Sequence, residues 1–486
     1  MNVKELLKNI TVLTVSGMLV ESAEVKAVAV DSRTVGEGAL FVAVRGSLND
    51  GHCFIRKVLE KKPVAVIIED KNFLPEGASA VPFILVRDSK EALARLSSSF
   101  FGDPAGRIKS VGITGTNGKT TSSYLIRSVL GEAGFKCAII GTIGNKITDI
   151  NIPSHNTTPG TVELYQLLKE ICDAGNQYVA MEVSSHALDQ DRVRGMVFSS
   201  AVFTNLTQDH LDYHNDMETY FRSKEKLFFK YCGKDSHQIV NIDDVFGNRL
   251  FHKLTGKKIG FGFSDCDVCV LKHVATKNAT RATIKTPKGR LEIEARLIGR
   301  HNLYNILSTV SFAVMEGISL DVVRRGVERL ESVPGRLDRV DSKKGYSVFV
   351  DYAHTDDALK NVLESLRELV HNGRIITVFG CGGDRDRGKR PKMGQIASAL
   401  SDHVLVTSDN PRSEDPREII AQVVSGIPLN NFEIEPDRRE AIHKALRMAR
   451  EGDFVLVAGK GHETYQAVRD RIFPFDDKAV VLEAMS

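Results

Sequence analysis

A glycine-rich run with a lysine and two threonines carries the clearest chemical signal in this chain. It spans residues 112–121 and reads GITGTNGKTT, between a strand pattern and a helical pattern. Glycines let the backbone approach phosphate oxygens, and the N–H groups of a helix N-terminus face the anion. Lys119 would reach the β- and γ-phosphates of a nucleotide, and the Thr120 hydroxyl would hold Mg²⁺. Ile113 stands where the general phosphate-loop pattern has glycine.

Polar clusters follow several other apolar strand patterns. They are SSH at 184–186, QDH at 208–210, DYAH at 351–354, GCGGDR at 380–385, SDNPR at 408–412 and GKGHE at 459–463. In open α/β sheets, ligands bind beyond the carboxyl ends of the strands. We therefore expect the later parts of the chain to present site residues at the same edge of their sheets, with a substrate between them.

The elements that must position these residues alternate between strand and helix, and 486 residues suggest about three domains. We predict the α/β class: a smaller N-terminal α/β domain at 1–107, a central P-loop ATPase-like domain at 108–334 and a C-terminal Rossmann-like domain at 335–486. The central domain should hold a mainly parallel sheet. A β meander is expected at 272–297, followed by a helix from His301 to Met315.

Composition excludes several classes of protein. The net charge of +3 argues against strong nucleic-acid binding, and no apolar run approaches the length of a membrane span. The N-terminus lacks the pattern of a signal peptide. Seven scattered cysteines favour reduced thiols in a cytosol. Cys266 and Cys269 form a lone C-x-x-C without a second ligand pair for zinc, which favours a structural pair in or beside a strand.

The motifs, taken together and in order, resemble those of the Mur ligase family. They are GTNGKTT at 115–121, EVSSH at 182–186, DHLDYH at 209–214, GRHN at 299–302, GR at 335–336, DYAH at 351–354 and GKGHE at 459–463. The resemblance is strongest to members that add meso-diaminopimelate to UDP-N-acetylmuramoyl-L-alanyl-D-glutamate in bacterial peptidoglycan precursor synthesis. It implies an ADP-forming ligase in which ATP converts a carboxylate to an acyl phosphate, which the amine then attacks. The Ile113 departure is usual in this family.

The resemblance also implies a catalytic set, which is Lys119, Glu182, His210 and Lys224. Glu182 would share a first Mg²⁺ with Thr120, and His210 would ligate a second. An ammonium cannot ligate Mg²⁺, so Lys224 is expected to be carbamylated by CO₂ to N6-carboxylysine, which offers two oxygens. Its spacing from the motif that contains His210 favours Lys224 over Lys226.

For ATP, the implied contacts are Gly115, Thr116, Asn117, Gly118, Lys119, Thr120, Thr121, Asn302, Arg336 and Asp351. Asn302 would meet the adenine, Arg336 a phosphate and Asp351 the ribose hydroxyls. For the UDP-sugar, the implied residues are Val30, Ser32, Ser47, Asn156, Thr157, Thr158, Ser184, Gln190 and Arg192. The alternative for 157–160 is a plain helix start with a threonine cap. Asp356 replaces the proline usual in the family, which should add charge and loosen a turn.

For the amino acid, the implied residues are Arg385, Asp409, Asn410, Pro411, Arg412, Gly459 and Glu463. Diaminopimelate differs from lysine by a distal carboxylate, which a planar guanidinium binds through two parallel hydrogen bonds. Arg412 would make this contact, and Glu463 would pair with the distal ammonium. The alternative for Arg412 is a surface ion pair with Asp415 or Glu414. Three cations nearby are interpreted as phosphate-facing or solvated: Arg387, Lys389 and Arg390.

Three rival functions stay open. A lysine-adding Mur ligase would differ mainly around Arg412. A folate polyglutamate ligase is expected to lack the uridine-binding turn VDSR at 30–33 and the DNPR run at 409–412. A phosphate-loop ATPase acting on nucleic acid would show turnover stimulated by DNA or RNA. We favour a monomeric cytoplasmic bacterial enzyme whose second and third domains close over ATP and the acyl phosphate, which would exclude water.

Overall fold

The computed structural model describes residues 1–46, 49–77, 79–154 and 156–486. The chain divides into two compact units. The first comprises Met1–Gly112, Phe135–Ala201 and Ser223–Ser236, and the second comprises Ile113–Gly134, Val202–Arg222 and His237–Ser486. Strands and helices alternate through both units, which confirms the predicted α/β class. In the described part of the chain, no helix is long and apolar enough to cross a membrane.

The N-terminal part builds a sheet ordered β1-β5-β4-β3-β2. Its elements are α1 (Val3–Leu7), β1 (Val12–Ser16), β2 (Ala27–Ala29), β3 (Ala39–Val42), α2 (Ile55–Leu59), β4 (Ala65–Ile68), β5 (Phe83–Val86) and α3 (Ser89–Phe100). Strands β2 to β5 are parallel, and β1 is antiparallel to β5. Every residue of β3 and β4 is buried, as in a sheet covered on both faces. Sequence reasoning missed β1, whose residues are mostly exposed.

The central part contains the remaining strands of the first unit and the phosphate loop. Its elements are β6 (Lys109–Thr114), α4 (Lys119–Glu132), β7 (Cys137–Ile140), β8 (Asn145–Ile147), β9 (Ile150–Ile152), α5 (Thr161–Asp173), β10 (Tyr178–Glu182), α6 (Ser185–Asp189), β11 (Phe198–Phe203), α7 (Leu211–His214), α8 (Met217–Phe229), β12 (Cys232–Asn241), α9 (Val245–Lys253), β13 (Lys257–Gly262), β14 (Val268–Ala275), β15 (Thr280–Thr286), β16 (Gly289–Ala295), α10 (Arg300–Met315) and α11 (Leu320–Arg329). In the first unit β10 runs parallel to β7. In the second, β12, β13 and β14 are parallel.

The predicted meander is confirmed, since β14, β15 and β16 are successive antiparallel neighbours. The helix predicted to begin at His301 begins one residue earlier and ends at Met315 as expected. Cys266, just before β14, and Cys269, the second residue of that strand, form a disulfide, so the expectation of reduced thiols is wrong for this pair. It holds for the other cysteines of the chain, which are free thiols: Cys53, Cys137, Cys172, Cys232 and Cys381.

The C-terminal part is a doubly wound sheet ordered β17-β18-β22-β19-β20-β21. Its elements are β17 (Asp338–Asp341), β18 (Ser347–Asp351), α12 (Asp356–Leu369), β19 (Ile375–Phe379), α13 (Lys389–Leu400), β20 (His403–Val406), α14 (Pro416–Val424), β21 (Phe432–Ile434), α15 (Arg438–Met448), β22 (Phe454–Ala458), β23 (Tyr465–Val468), β24 (Arg471–Pro474) and α16 (Asp477–Met485). All strands are parallel except β17, and β23 with β24 forms a separate hairpin.

Alternate residues of the C-terminal strands face two different cores. Phe349 and Phe379 pack with α12, α13 and α14, whereas Val350 and Val378 pack with α15 and α16. The register pairs Ala458 with both Asp351 and Phe379. The carboxyl ends of three central strands therefore lie side by side, which places the polar runs that follow them at one edge of the sheet.

Candidate active site

The phosphate loop of the second unit packs too tightly to admit side chains at two of its glycines. A Cβ at Gly115 would lie 1.9 Å from the Thr204 hydroxyl oxygen, and one at Gly118 would lie 2.3 Å from Asn305 Oδ1. Gly118 has a φ of +86° and immediately precedes α4. The loop backbone therefore packs closely against its neighbours at positions where only glycine fits, as in a phosphate-binding loop.

Side chains at the end of β11 fix this loop. The backbone N–H of Asn117 donates to Asn205 Oδ1 over 2.9 Å, and the Thr204 hydroxyl donates to the Asn117 carbonyl over 2.6 Å. Lys119 bends back over the loop, where its Nζ donates to the carbonyls of Gly115 and Thr116 over 2.9 and 2.8 Å. The ammonium thus lies above the turn that would hold a phosphate.

Arg336, from the start of the C-terminal part, reaches the phosphate loop. Its Nη2 donates to the Thr120 hydroxyl over 3.2 Å, and its guanidinium carbon lies 4.7 Å from the centre of the Tyr352 ring. Its buried Nε has no hydrogen-bond partner among the described residues. A buried, unpartnered guanidinium N–H beside a phosphate loop suits an anionic ligand.

A cavity of about 770 Å³ opens beside the loop, entirely within the second unit. Seven of the residues predicted to contact the nucleotide lie in its wall: Asn117, Gly118, Thr120, Thr121, Asn302, Arg336 and Asp351. The volume suits a ligand of drug size or larger. Residues from these separated motifs therefore meet at one cavity.

The amide of Asn302 is already held by the protein. Its Nδ2 donates to the Ile298 carbonyl over 2.8 Å, and its Oδ1 accepts from Asn305 Nδ2 over 3.0 Å. Asn305 was missed by sequence reasoning, although it lies one helical turn beyond Asn302. His301, also in the cavity wall, was missed too. Burial, and next the charge of Arg336, lower the pKa of His301 to about 4.

Asp351 is the last residue of β18, and both of its carboxylate oxygens accept hydrogen bonds. Its Oδ2 accepts from the Leu337 N–H over 2.6 Å and its Oδ1 from the Ala353 N–H over 2.8 Å. Burial raises the pKa of Asp351, and Arg336 opposes that shift. The Asp351 carboxylate thus holds the backbone near the start of the C-terminal part, and it also lines the cavity.

Asp357 is a third residue that sequence reasoning missed. Its Oδ2 accepts from Asn117 Nδ2 over 2.9 Å and from the Thr207 hydroxyl over 3.2 Å. This carboxylate therefore joins α12 to the phosphate loop. The expected loosening near Asp356 is wrong, because Thr355 caps α12 and Asp356 occupies its first turn, where a carboxylate is stabilising.

The loop after β11 carries Asp209 and His210. His210 has a φ of +55°, and its Nε2 lies 3.4 Å from Asp209 Oδ2. Burial favours the protonated acid, but the charges of His210, His354 and Lys389 lower the pKa of Asp209 below its usual value. The His210 ring, by contrast, is 42% exposed and so is accessible to a ligand.

In the first unit, hydroxyls surround the end of β10. The Thr142 N–H and hydroxyl donate to the two carboxylate oxygens of Glu182 over 2.9 and 3.1 Å. The Thr158 hydroxyl donates to the Glu182 carbonyl over 2.8 Å and accepts from the Ser184 N–H over 3.0 Å. Thr157 is linked to Thr142 over 3.0 Å. Four residues predicted from separate motifs thus lie together.

Gln190 and Arg192 join the same group, which we call the Thr158 cluster: Glu182, Thr157, Thr158, Ser184, Gln190 and Arg192. Arg192 donates to Gln190 Oε1 through Nε and Nη2, and to the Thr158 carbonyl through Nη1 over 3.1 Å. Asn156, just before the cluster, is exposed. The Thr158 cluster, with its hydroxyls and the guanidinium of Arg192, suits an anionic, hydroxylated ligand.

The other predicted residues of the first unit lie on different elements of the chain. Val30 and Ser32 lie in the turn after β2, where Val30 is exposed and the Ser32 carbonyl accepts from Lys61 Nζ over 3.0 Å. Ser47 lies outside the described residues. Lys224 is almost completely buried on α8, with a relative exposure of 1%, which is unusual for a lysine.

At the edge of the C-terminal sheet lie four residues predicted to bind the amino acid, together with Lys460, and we name this group the amino-acid site after that prediction: Asp409, Asn410, Arg412, Glu463 and Lys460. Asn410 Nδ2 donates to Glu463 Oε2 over 2.8 Å. Lys460, absent from the prediction, donates to Asn410 Oδ1 over 3.0 Å. Gly459 has a φ of +118°, and a Cβ there would lie 2.7 Å from Asp409 Oδ2.

Arg412 is not the surface ion pair that the alternative interpretation required. Its Nη1 donates to the Gly383 carbonyl over 2.8 Å, its N–H donates to Ala467 and its φ is +50°. Glu414 pairs instead with Arg390, which is fully buried. The interpretation of Arg390 as phosphate-facing or solvated is therefore wrong. Arg385 is exposed and donates to the carbonyl of Asp384.

Three family models match the chain along its length. They are the Mur ligase family catalytic domain over residues 24–101, the Mur ligase middle domain over 113–313 and the Mur ligase glutamate ligase domain over 335–461. A solved structure of a UDP-N-acetylmuramoyl-L-alanyl-D-glutamate–2,6-diaminopimelate ligase is 31% identical, with a TM-score of 0.70 over 100% of this chain and 98% of that chain.

Two curated relatives are similar across nearly the whole chain. The UDP-N-acetylmuramoyl-L-alanyl-D-glutamate–2,6-diaminopimelate ligase of Geobacter metallireducens is 45% identical over 485 residues, covering 95% of this chain and 94% of the relative. The ligase of the same name from Clostridium tetani is 42% identical over 490 residues and covers 99% of each chain. With these identities and family matches, the chain belongs to the Mur ligase family.

Proposed function

We propose that this protein is an ATP-dependent ligase that adds meso-diaminopimelate to UDP-N-acetylmuramoyl-L-alanyl-D-glutamate. The observation that carries the proposal is the bond from Arg336 to the Thr120 hydroxyl, over 3.2 Å. It joins the phosphate loop to the part of the chain that bears Arg412 and the rest of the amino-acid site. A ligase of this kind needs its nucleotide-binding residues to be connected to its amino-acid-binding residues. The names of the relatives supply the substrates.

The reaction has two steps. A carboxylate oxygen of the glutamate residue attacks the γ-phosphorus of ATP, the bond to the β-bridging oxygen breaks and ADP leaves. The diaminopimelate amine then attacks the acyl carbon of the acyl phosphate. A C–N bond forms, the C–O bond to phosphate breaks, and inorganic phosphate and a proton are released. Both steps bring anionic groups together, so positive charge around the γ-phosphate is required.

Lys119 and Arg336 supply that charge from the protein. Lys119 Nζ is held above the loop by two carbonyls at 2.8 and 2.9 Å, which positions it without neutralising it. The unpartnered Nε of Arg336 offers a further N–H to a phosphate oxygen. Asp351 would accept from the ribose hydroxyls, and Asn302 lies where the adenine would enter the cavity.

Mg²⁺, when bound, would reduce the repulsion between the γ-phosphate and the attacking carboxylate. The proposed ligands are the Thr120 hydroxyl and the His210 ring in the second unit, and the Glu182 carboxylate and carbamylated Lys224 in the first unit. The donors suit a hard cation, since a hydroxyl and a carboxylate offer oxygen. The burial of Lys224 supports a role other than that of a solvated surface lysine, because lysines are seldom buried.

The Thr158 cluster is the proposed site of the sugar and diphosphate. Arg192 contributes charge, and Thr157, Ser184 and Gln190 contribute hydrogen-bonding groups. The turn with Val30 and Ser32 would meet the uridine. This assignment gives uridine binding to residues 1–107, ATP binding and sugar-diphosphate binding to 108–334, and amino-acid binding to 335–486. A monomeric state and a cytoplasmic location complete the proposal.

In the amino-acid site, Arg412 would bind the distal carboxylate and Glu463 the distal ammonium. Burial and the neighbouring charge of Asp409 raise the pKa of Glu463, whereas Lys460 opposes that shift. A nearby cationic ligand would favour the ionised form of Glu463, as Lys460 does. L-Lysine lacks the distal carboxylate and would leave Arg412 uncompensated, which should select strongly against it.

The test is ADP release by the purified protein with ATP, Mg²⁺ and UDP-N-acetylmuramoyl-L-Ala-D-Glu, comparing meso-diaminopimelate with L-lysine. Turnover with diaminopimelate alone is the expected result. Turnover with lysine would retain the ligase and replace its substrate, which is the alternative of a lysine-adding enzyme. Turnover with neither, in folded protein that binds ATP, would overturn the proposal.

A further inference from the structure

Lys460 is a buried cation inside the amino-acid site. Its side chain is 0% exposed, and its Nζ lies 3.4 Å from Glu463 Oε2. The same Nζ donates to Asn410 Oδ1 over 3.0 Å and lies 5.5 Å from the centre of the Tyr465 ring. A lysine is seldom fully buried unless it is paired, and here both partners are residues proposed to bind the substrate.

The contact with Asn410 determines how that amide is oriented. Asn410 Oδ1 accepts from Lys460 Nζ and from the Ala467 N–H, over 3.0 and 2.9 Å. An amide oxygen has two lone pairs, so both are used. Asn410 Nδ2 must then point away, and it donates to Glu463 Oε2 over 2.8 Å. Lys460 therefore positions Asn410 and Glu463 together.

Lys460 also balances the charge of the site. Asp409 and Glu463 are the two anions of the amino-acid site, and Lys460 and Arg412 are its two cations. Arg438 also approaches, at 4.0 Å from Asp409 Oδ2, but its charge is compensated by its bond to Asp477. The site is thus close to neutral before any ligand binds, which suits a ligand group that carries both signs of charge.

We propose that Lys460 is a specificity-determining positioning residue for the added amino acid. It fixes Asn410 and offsets Glu463, so that the site accepts a distal end bearing both an ammonium and a carboxylate. A distal ammonium alone, as in lysine, would add uncompensated positive charge beside Lys460. This inference rests on the proposed function and adds a second source of discrimination to Arg412.

The experiment compares three amino acids in the complete ligase assay. They are meso-diaminopimelate, L-lysine and 2-aminopimelate, which keeps the distal carboxylate and lacks the distal amine. Lys460→Met should lower kcat/KM most for 2-aminopimelate, less for diaminopimelate and least for lysine. The preference for diaminopimelate over lysine should fall at least about tenfold. Where turnover is too slow, inhibition constants against diaminopimelate give the same ranking.

A purely structural role for Lys460 predicts a different result, namely that all three values change by the same factor. That outcome would overturn the inference. Lys478→Met is the matched control, since Lys478 is a half-exposed lysine paired with Asp338 in the same part of the chain. It should leave the preference unchanged. A wild-type protein that uses neither diaminopimelate nor lysine would instead refute the proposed function, and the inference with it.

Glu463→Gln provides a second test that does not depend on the folding of Lys460→Met. Removing the anion leaves Lys460 unbalanced, so the order should invert. Lysine should lose most and 2-aminopimelate least. An order that is not inverted, in a variant with wild-type circular dichroism and ATP affinity, would contradict the electrostatic role.

Discussion

The phosphate loop and the amino-acid site of the second unit achieve binding in different ways. The loop is one contiguous run that would bind phosphate mainly through backbone groups. A side chain at Gly115 or Gly118 would collide with its neighbours. The amino-acid site is assembled from segments about 50 residues apart, such as Asn410 and Glu463, and depends on buried charges. Loss of a charge in the loop should therefore change the free energy of unfolding little, whereas loss of a fully buried charge behind the amino-acid site should lower it.

The largest expected effect tests the loop. Lys119→Ala should lower kcat/KM for ATP-dependent ligation by about 10³-fold, because the ammonium stabilises charge that develops on the transferred phosphoryl group. The free energy of unfolding should change little. Activity and denaturant unfolding are measured on the same preparation, with the exposed Lys136→Ala as control. An unfolded Lys119→Ala would remove the contrast between the two regions.

The next prediction concerns the ion pair behind the amino-acid site. Arg438 and Asp477 are both 0% exposed and 2.7 Å apart, and Arg438 also donates to the Ala458 carbonyl. Asp477→Asn should destabilise the protein by about 3–5 kcal/mol, because it leaves a buried guanidinium uncompensated. Urea unfolding measures this directly.

The same two helices provide a matched control for that variant. Arg439 and Glu483 form the corresponding exposed pair between α15 and α16. Glu483→Gln should change stability very little, since exposed ion pairs contribute little. Equal effects of the two substitutions would show that burial is not what makes the amino-acid site dependent on its charges.

Arg412→Lys should damage amino-acid binding alone. We expect KM for diaminopimelate to rise about 100-fold, because an ammonium cannot reproduce the two parallel hydrogen bonds of a guanidinium. ATP affinity should be unchanged. Arg417→Lys, an exposed arginine of α14, serves as the control. A comparable loss of ATP affinity in Arg412→Lys would indicate that the two sites are not separable.

Acid should lower the stability of the protein through two partly buried histidines of the nucleotide cavity, His301 and His354. The pKa of His301 and that of His354 are each lowered from 6.5 to about 4, in both cases mainly by burial. The unfolded chain binds more protons than the folded chain between those values, so stability falls as the pH drops through 6.5 toward 4. From pH 7 to pH 5 the expected loss is about 2 kcal/mol for each histidine.

Unfolding free energies of His301→Gln across this range provide the check on the acid effect. The variant should show a shallower dependence on pH than the wild type, whatever its stability at pH 7. His252→Gln, which replaces an exposed histidine, should keep the wild-type slope. An unchanged slope in His301→Gln would contradict the assignment to partly buried histidines.

The smallest effect concerns the link between the regions. The 2.9 Å bond from Asn117 to Asp357 joins the phosphate loop to α12. A double-mutant cycle with Asn117→Ala and Asp357→Asn should give a coupling of about 1 kcal/mol in unfolding free energy. Additive effects would mean that the loop and the C-terminal part are energetically independent.

The chemical elements of the site were readable from sequence because they lie in short contiguous runs. The phosphate loop needs glycines and a helix start at fixed spacing, so its function can be predicted without knowledge of the tertiary structure. The α/β class and most strands of the second and third sheets followed from the alternation of apolar and polar segments. The edge strand β1 was missed because its residues are mostly exposed and give no periodic signal.

Other features depended on contacts between distant residues. Nothing local distinguishes Arg390, which is buried against Glu414, from Arg387, which is exposed. Likewise, Asp357 and Asn305 acquire their roles only from the phosphate loop that packs against them. Burial and pairing are properties of the folded chain, and single-sequence patterns carry little information about them.

The sequence by itself determined the family resemblance, the α/β class and the residue types that meet phosphate and carboxylate, because those depend on local backbone geometry and on side-chain chemistry. Only the tertiary structure decided which charges face one another. Lys460 is the clearest case, since its position between Asn410 and Glu463 depends on the packing of two strand ends. The strength and the sign of an electrostatic effect follow from distance and burial, and both arise only when the sheet forms.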